Sequence, residues 1–91
     1  MNKSELITSM AEKSKLTKKD AELVLKAFIE TVEETLETGE KVQLVGFGTF
    51  ETRKRAARIG RNPKTKEEIQ IPESTVPVFK PGKEFKERVN K

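Results

Sequence analysis

The sequence contains no cysteine and no histidine, and it has neither tryptophan nor tyrosine. Without cysteine the chain can form no disulfide bond or thiolate metal site, and without histidine it lacks the usual zinc ligand and the most common general base. Only 33% of the residues are hydrophobic, and no apolar run resembles a signal peptide or a membrane span. We therefore expect a soluble, intracellular protein that is not an enzyme and has no metal site or cofactor.

The charges that are present are unevenly distributed along the chain. Residues 1–40 carry six cations and nine acids, although the whole chain has a net charge of +4. Residues 52–70 carry seven cations and two acids, and residues 76–91 carry five cations and two acids. This separation predicts a basic surface that faces a polyanion.

Capping signals predict two amphipathic helices within the first forty residues. Asn2 followed by Glu5 is a variant of the capping box, and Thr17 followed by Asp20 repeats it before a longer apolar stripe. Gly39 can take the left-handed conformation that ends a helix. The sequence therefore predicts a helical part that spans residues 1–40.

After residue 40 the apolar residues recur at every second position, as in a β-strand. Three strands are predicted, at residues 42–45, 49–52 and 76–79. Gly46-Phe47-Gly48 marks a tight turn between the first two, and Pro77 requires an edge strand or a bulge because it has no N–H. Phe85 and Val89 lie one helical turn apart and predict a short last helix. The fold class is therefore predicted to be α+β, with one antiparallel three-stranded sheet.

Between the second and third strands, residues 52–75 predict a long protruding hairpin, called the arm below. Gly60-Arg61-Asn62-Pro63 has strong turn chemistry, and the flanking residues read as extended strands. The tip would project ~25 Å, and a two-stranded ribbon of this kind should be mobile until it binds a partner. In a regular strand Arg53 and Arg55 would point to one face and Arg58 to the other. Bringing all three to the same face predicts a bulge or sharp twist at residues 56–57.

Other motifs are weaker. Gly46-Phe47-Gly48 lacks the third glycine and the βαβ context of a dinucleotide site, and Pro81-Gly82-Lys83 lacks the spacing of a phosphate loop. The five phenylalanines could stack on single-stranded bases, but each lies on the apolar phase of its element, which favours core packing.

Across essentially the whole chain, the sequence resembles the bacterial histone-like HU proteins and integration host factor. The most specific stretch is GFGTFETRKRAARIGRNPKT, residues 46–65, and MNKSELI and VPVFKPGK are also similar. The resemblance implies one domain, residues 1–91, whose C-terminal strand and helix occupy residues 76–91. It also implies an intertwined dimer, a homodimer being our expectation, in which each chain sends one arm into the minor groove of DNA.

The resemblance also implies a function and a set of site residues. The protein would bind duplex DNA with little sequence specificity, bend it, help to compact the chromosome in the cytoplasmic nucleoid, and prefer kinked, nicked or flexible DNA. Pro63 would be a wedge between base pairs, and Arg61 and Asn62 would flank it. The remaining contacts would be arginines along the arm and lysines that hold phosphates against the body: Arg53, Arg55, Arg58, Lys3, Lys80, Lys83 and Lys86.

Two positions depart from the family pattern. Lys66 stands where the family commonly has glycine, so the turn at the tip could differ or be looser, and Lys54 replaces an acid between two arm arginines. Three other functions are left open. An RNA or single-strand binder would not need a wedge proline, a protein-binding module would be insensitive to salt, and a hydrolase lacks ligands.

Overall fold

The computed structural model describes every residue from Met1 to Lys91. The helices are α1 (Lys3–Ser14), α2 (Lys18–Glu37) and α3 (Lys83–Val89). The strands are β1 (Val42–Leu44), β2 (Gly48–Arg55), β3 (Arg58–Arg61), β4 (Glu68–Ile71) and β5 (Ser74–Pro81). The chain forms two compact units, Met1–Glu34 and Thr35–Lys91, and α2 runs from the first into the second.

In the first unit, both predicted helix caps are present. Oδ1 of Asn2 accepts a hydrogen bond from the N–H of Glu5 at 2.9 Å, and Oγ1 of Thr17 accepts one from the N–H of Asp20 at 3.1 Å. Each cap satisfies one of the N–H groups that a helix leaves without an internal partner at its start. The boundaries of α1 and α2 are therefore fixed locally, by residues that the sequence identifies.

The second unit is built on a three-stranded antiparallel sheet with the order β1-β2-β5. The β1–β2 turn contains Gly46 at φ 86° and is closed by a hydrogen bond from the N–H of Phe47 to the carbonyl oxygen of Leu44. Pro77 lies on β5, at the edge of the sheet, and pairs with Thr52 of β2. The edge position that was predicted as one option for Pro77 is confirmed, because an edge strand has one side on which no N–H is needed.

A cluster of four phenylalanines forms the apolar centre of the second unit. Phe79 lies 4.8 Å from Phe50 and 5.2 Å from Phe47 between ring centroids, and Phe85 of α3 stacks on Phe47 at 4.9 Å. Such ring pairs add to the free energy of burial. These four rings therefore pack against one another, as their apolar phase predicts, although Phe47 stays 42% exposed; Phe28 lies on α2 and is 41% exposed.

Few large apolar side chains of the single chain are buried. Ala11 and Ala21 are the only buried hydrophobic residues, and Leu23 and Val24 on α2 are more than half exposed. The chain exposes 8102 Å². A folded monomer of 10.3 kDa exposes about 5,400 Å², so this chain presents much more surface than a self-sufficient fold of its mass.

Candidate nucleic-acid interface

The base of the arm continues the central strands of the sheet. β2 pairs with β5 over eight residues, from Gly48 opposite Pro81 to Arg55 opposite Ser74. Because alternate residues of a strand share a face and paired residues lie side by side, Glu51, Arg53 and Arg55 occupy the same face. Lys80 is on that face too, since it pairs with Thr49. The sheet thus places two arm arginines and one body lysine on one surface.

The outer half of the arm is a separate two-stranded ladder. β3 pairs with β4 from Arg58 opposite Ile71 to Arg61 opposite Glu68. Between the two ladders, residues 56–57 face residues 72–73 without ladder pairing, and each strand contributes two residues. Neither strand has an extra residue, so the bulge, one of the two predicted forms of this break, is absent, whereas the sharp twist stays a prediction. The pairing does break at the predicted place, next to Pro72, which has no N–H to donate.

The tip of the arm is closed by hydrogen bonds that converge on Asn62. Its N–H donates to the carbonyl oxygen of Glu67 at 3.0 Å, and its carbonyl oxygen accepts from the N–H of Lys66 at 2.7 Å. Its side-chain Oδ1 accepts from the N–H of Lys64 at 2.9 Å. Pro63, between Asn62 and Lys64, is exposed at the end of the ribbon. One residue therefore organises the whole turn around the proline.

Lys66 completes this turn in the left-handed region, at φ 60°. This conformation costs an L-residue about 1–2 kcal/mol relative to the right-handed conformation, because Cβ approaches the following carbonyl oxygen. Glycine has no Cβ and does not incur this cost. The structure thus accommodates the departure from glycine at this position without opening the turn.

The arm arginines are exposed, and none of their side chains makes a hydrogen bond or ion pair within the chain: Arg53, Arg55, Arg58 and Arg61. Glu67 and Glu68, the acids nearest the tip, form no ion pair either. A guanidinium group is a planar fork of donors that fits phosphate oxygens and narrow grooves. The four donor groups are therefore available to a ligand without breaking an internal contact.

An ion-pair network lies next to the base of the arm. The carboxylate of Glu51 is 2.8 Å from Nζ of Lys80 and 3.2 Å from Nζ of Lys41, and the Glu51 side chain is only 10% exposed. The hydrogen bond from Lys80, followed by that from Lys41, lowers the pKa of the Glu51 carboxyl. Sequence reasoning missed Lys41 and Glu51, although opposite charges on neighbouring strands at matching parity are a readable signal.

The other predicted body lysines lie in different surroundings. Lys83 is 4.0 Å from Glu87, one turn further along α3, and both side chains are largely exposed. Lys86 borders an apolar groove lined by Phe79, Phe85 and Val89. Lys3 is the first residue of α1 and belongs to the first unit, whereas the other nine predicted site residues belong to the second.

A β-ribbon with an exposed proline at its tip and arginine side chains that have no partner is typical of proteins that bind a polyanion with a β-arm. The chain also matches the family described as "Bacterial DNA-binding protein" over residues 1–90, and it therefore belongs to that family. Its class is that of an architectural DNA-binding protein, as the sequence predicted.

Individual relatives agree with this assignment. The chain is 82% identical over 91 residues to DNA-binding protein HU of Clostridium pasteurianum, with all of both chains covered. It is 57% identical over 89 residues to HU of Geobacillus stearothermophilus, which covers 98% of this chain and 99% of the relative.

Solved structures are similar over nearly the whole chain. A cocrystal structure of Anabaena HU with DNA superposes with a TM-score of 0.93 at 55% identity, covering 98% of this chain and 97% of that one. HU from Thermotoga maritima gives a TM-score of 0.70 at 43% identity, with 98% of both chains covered. The α+β class with three helices, an antiparallel sheet and an extended arm is confirmed.

Two further findings concern a metal site and a membrane-spanning helix. No group of three or more acidic, histidine or cysteine side chains is placed to hold a metal ion. None of the helices combines the length and the apolar character that crossing a membrane requires.

Proposed function

We propose that this protein binds duplex DNA through the minor groove with little sequence preference, bends it, and thereby helps to compact the bacterial chromosome in the cytoplasm. The observation that carries the proposal is the arm, whose four arginine side chains have no partner within the chain and whose exposed tip presents Pro63. Unpaired cations contribute binding energy through the release of counterions from DNA. We assign the protein no catalytic activity and no cofactor.

The two ladders of the arm support a division of roles along its length. Arg53 and Arg55, on the inner ladder, would contact the phosphate backbone near the sheet, and Arg58 would follow the groove from the outer ladder. Arg61 and Asn62 would lie at the groove floor on either side of the wedge, Pro63. Because proline has no charge and no N–H, its contribution would be a rigid apolar surface that enters between base pairs.

The body would hold the flanks of the bent duplex with lysines: Lys3, Lys80, Lys83 and Lys86. Lys80 is the most constrained of them, because its ammonium group already contacts Glu51. An ammonium group has three donors, so Lys80 can contact a phosphate oxygen while it keeps that ion pair. Its side chain is 62% exposed, which leaves room for such a contact.

We further propose that the functional unit is an intertwined homodimer in which residues 1–91 of each chain form one domain and contribute one arm. The single chain leaves Leu23, Val24 and Ile29 of α2 at least 43% exposed, and it buries no large side chain completely. Exposed apolar surface of this extent is unfavourable in water and is stabilised when a partner covers it. Two arms would also allow the duplex to be held at two points, which bending requires.

Replacing Pro63 by alanine tests the wedge directly. The wild type is expected to bend a duplex labelled at both ends, to bind nicked or pre-kinked DNA more tightly than intact DNA, and to bind single strands least. The Pro63→Ala protein should keep nearly the same dependence of affinity on salt, because no charge is lost. It should bend the duplex less and discriminate less between nicked and intact DNA, since nicked DNA has already lost the stacking that the wedge must break.

Lys64→Ala serves as the matched control, because it removes a neighbouring charge and leaves the proline in place. It should make the salt dependence shallower and leave the bend angle unchanged. Equal bending by the Pro63→Ala protein and the wild type would mean that Pro63 only shapes the turn. Equal affinity for duplex and single strands would favour a general nucleic-acid binder instead.

A further inference from the structure

Three of the four hydrogen-bonding groups of Asn62 are used inside the arm tip. The backbone N–H donates to Glu67, the backbone carbonyl oxygen accepts from Lys66, and Oδ1 accepts from the N–H of Lys64. The remaining group, the side-chain amide nitrogen Nδ2, makes no hydrogen bond within the chain. Asn62 therefore offers a ligand two N–H donors from a side chain whose acceptor is engaged.

The orientation of this amide is fixed by chemistry. The atom 2.9 Å from the Lys64 nitrogen must be the oxygen, because a backbone N–H is a donor and a facing NH₂ group could not accept from it. Rotating the amide by half a turn would lose this hydrogen bond and place two donors against each other. The tip turn thus holds Nδ2 in one direction relative to Pro63.

A donor-only side chain distinguishes base pairs in the minor groove. The groove edge of an A·T or T·A pair shows only acceptors, namely N3 of adenine and O2 of thymine, whereas a G·C pair adds the donor amino group N2 of guanine. Nδ2 can donate to the acceptors of an A·T pair, but it meets another donor at guanine. An amide that was free to rotate could instead turn its oxygen towards the guanine amino group.

We propose that Asn62 is a specificity-determining residue that favours base pairs without a minor-groove amino group next to the step entered by Pro63. This inference rests on the proposed function, and it adds a local preference to binding that is otherwise independent of sequence. One hydrogen bond contributes about 0.5–1.5 kcal/mol net, so the preference should amount to roughly twofold to twelvefold in affinity. The neighbouring Arg61 carries only donors and strengthens the same preference.

The experiment uses four duplexes that share one design and differ only in base composition at the kinked centre: A·T, G·C, inosine·C and 2,6-diaminopurine·T pairs. Inosine is guanine without the minor-groove amino group, and diaminopurine is adenine with it. A nick at the centre fixes where the DNA kinks. Wild-type protein should bind the A·T and inosine·C duplexes with similar affinity, and more tightly than the G·C and diaminopurine·T duplexes by the factor given above.

Protein variants separate the contribution of Asn62 from the stiffness of each duplex. Asn62→Asp keeps an oxygen that can accept from Lys64 but removes both donors, and its added negative charge weakens all four complexes alike. Its preference between the duplexes should therefore shrink, as should that of Asn62→Ala. Lys64→Ala keeps its backbone N–H and should lower all four affinities while it preserves the preference.

The outcomes are distinct. A preference that follows the amino group and shrinks in both Asn62 variants supports the inference. A preference that persists unchanged in Asn62→Asp, or a wild-type protein that treats inosine·C like G·C, overturns it and leaves the proposed function intact. Failure of the wild type to bind any of the four duplexes overturns the proposed function itself.

Discussion

Because Lys66 has a left-handed backbone conformation, we expect that glycine at this position would make the turn at the arm tip more stable. Lys66 has φ 60°, and its N–H closes the turn onto the carbonyl oxygen of Asn62. Replacing Lys66 by glycine should stabilise the turn, but it also removes a cation. We therefore compare Lys66→Gly with Lys66→Ala, because both variants lack the charge and only alanine retains the cost of the left-handed conformation.

The expected magnitude follows from two opposing terms. The left-handed conformation costs alanine about 1–2 kcal/mol, whereas glycine loses about 0.5–1 kcal/mol more backbone entropy when it is ordered. The difference is about 0.5–1 kcal/mol in favour of glycine, or roughly twofold to fivefold in the equilibrium constant of turn formation. If DNA binds only the closed turn, affinity changes by as much as this factor when the free arm is mostly open, and less when it is mostly closed.

Lys64 supplies the matched control, since its φ is not positive. At position 64, alanine should be better than glycine, because glycine gains nothing there and still loses entropy. Closing of the turn can be measured in all four variants by the rate at which the backbone N–H of Asn62 exchanges its hydrogen with solvent. This N–H donates to the carbonyl oxygen of Glu67. Affinity for nicked duplex, measured at several salt concentrations, then reports the effect on binding.

The reasoning would be refuted if the glycine and alanine variants at position 66 exchanged the Asn62 amide equally fast. It would also be refuted if glycine were favoured to the same degree at position 64, because the effect would then be general flexibility of the tip. Different salt dependences for the two position-66 variants would show that they bind DNA in different ways.

Three further predictions follow from the same structure. The pKa of the Glu51 carboxyl lies below its ordinary value of 4.5, so its stabilising effect is fully present above that pH and is lost as the pH falls through the folded pKa. In chemical unfolding, the stability difference between wild type and Glu51→Gln should thus be constant well above pH 4.5 and shrink as the pH falls below it, and a difference that stays constant in acid would contradict the assignment. Arg55→Ala should weaken binding to all DNA sequences alike and make the slope of log affinity against log salt shallower by about 0.9 per chain, or about 1.8 for a dimer, whereas loss confined to one sequence would indicate base readout. Dilution should lower the melting temperature if the chain folds as a dimer, and a folded monomer at low micromolar concentration in sedimentation would count against it.

Local features of the fold were predictable because their causes are close together in the chain. The caps at Asn2 and Thr17, the turn at Gly46 and the extended arm all depend on residues within a few positions of each other. The apolar phase of Phe47 and Phe79 likewise predicts that they pack against other apolar side chains, although it does not say which ring each one contacts. The family was recognisable for the same reason, because its most specific motifs lie in one continuous stretch, residues 46–65.

The break in pairing at residues 56–57 was predicted in place but not in form. Strand parity showed that Arg58 is out of phase with Arg55, which predicted either an extra residue or a sharp twist. The structure instead interrupts both strands equally, because Pro72 on the opposite strand cannot donate to the ladder at this point. Register is a property of two strands together, so one strand's pattern could not decide it.

The amino-acid sequence by itself determined the separation of charge, the element order, the family and the chemistry of the tip, because these depend on residue type and near neighbours. Only the tertiary structure decided that Glu51 on β2 joins Lys41, just before β1, to Lys80 on β5, and that Oδ1 of Asn62 accepts a hydrogen bond while its side-chain amide nitrogen makes none. Both depend on which atoms the folded backbone brings within hydrogen-bonding distance. A residue type defines which donors and acceptors exist, whereas their pairing is fixed by the register and the turn that bring the partners together.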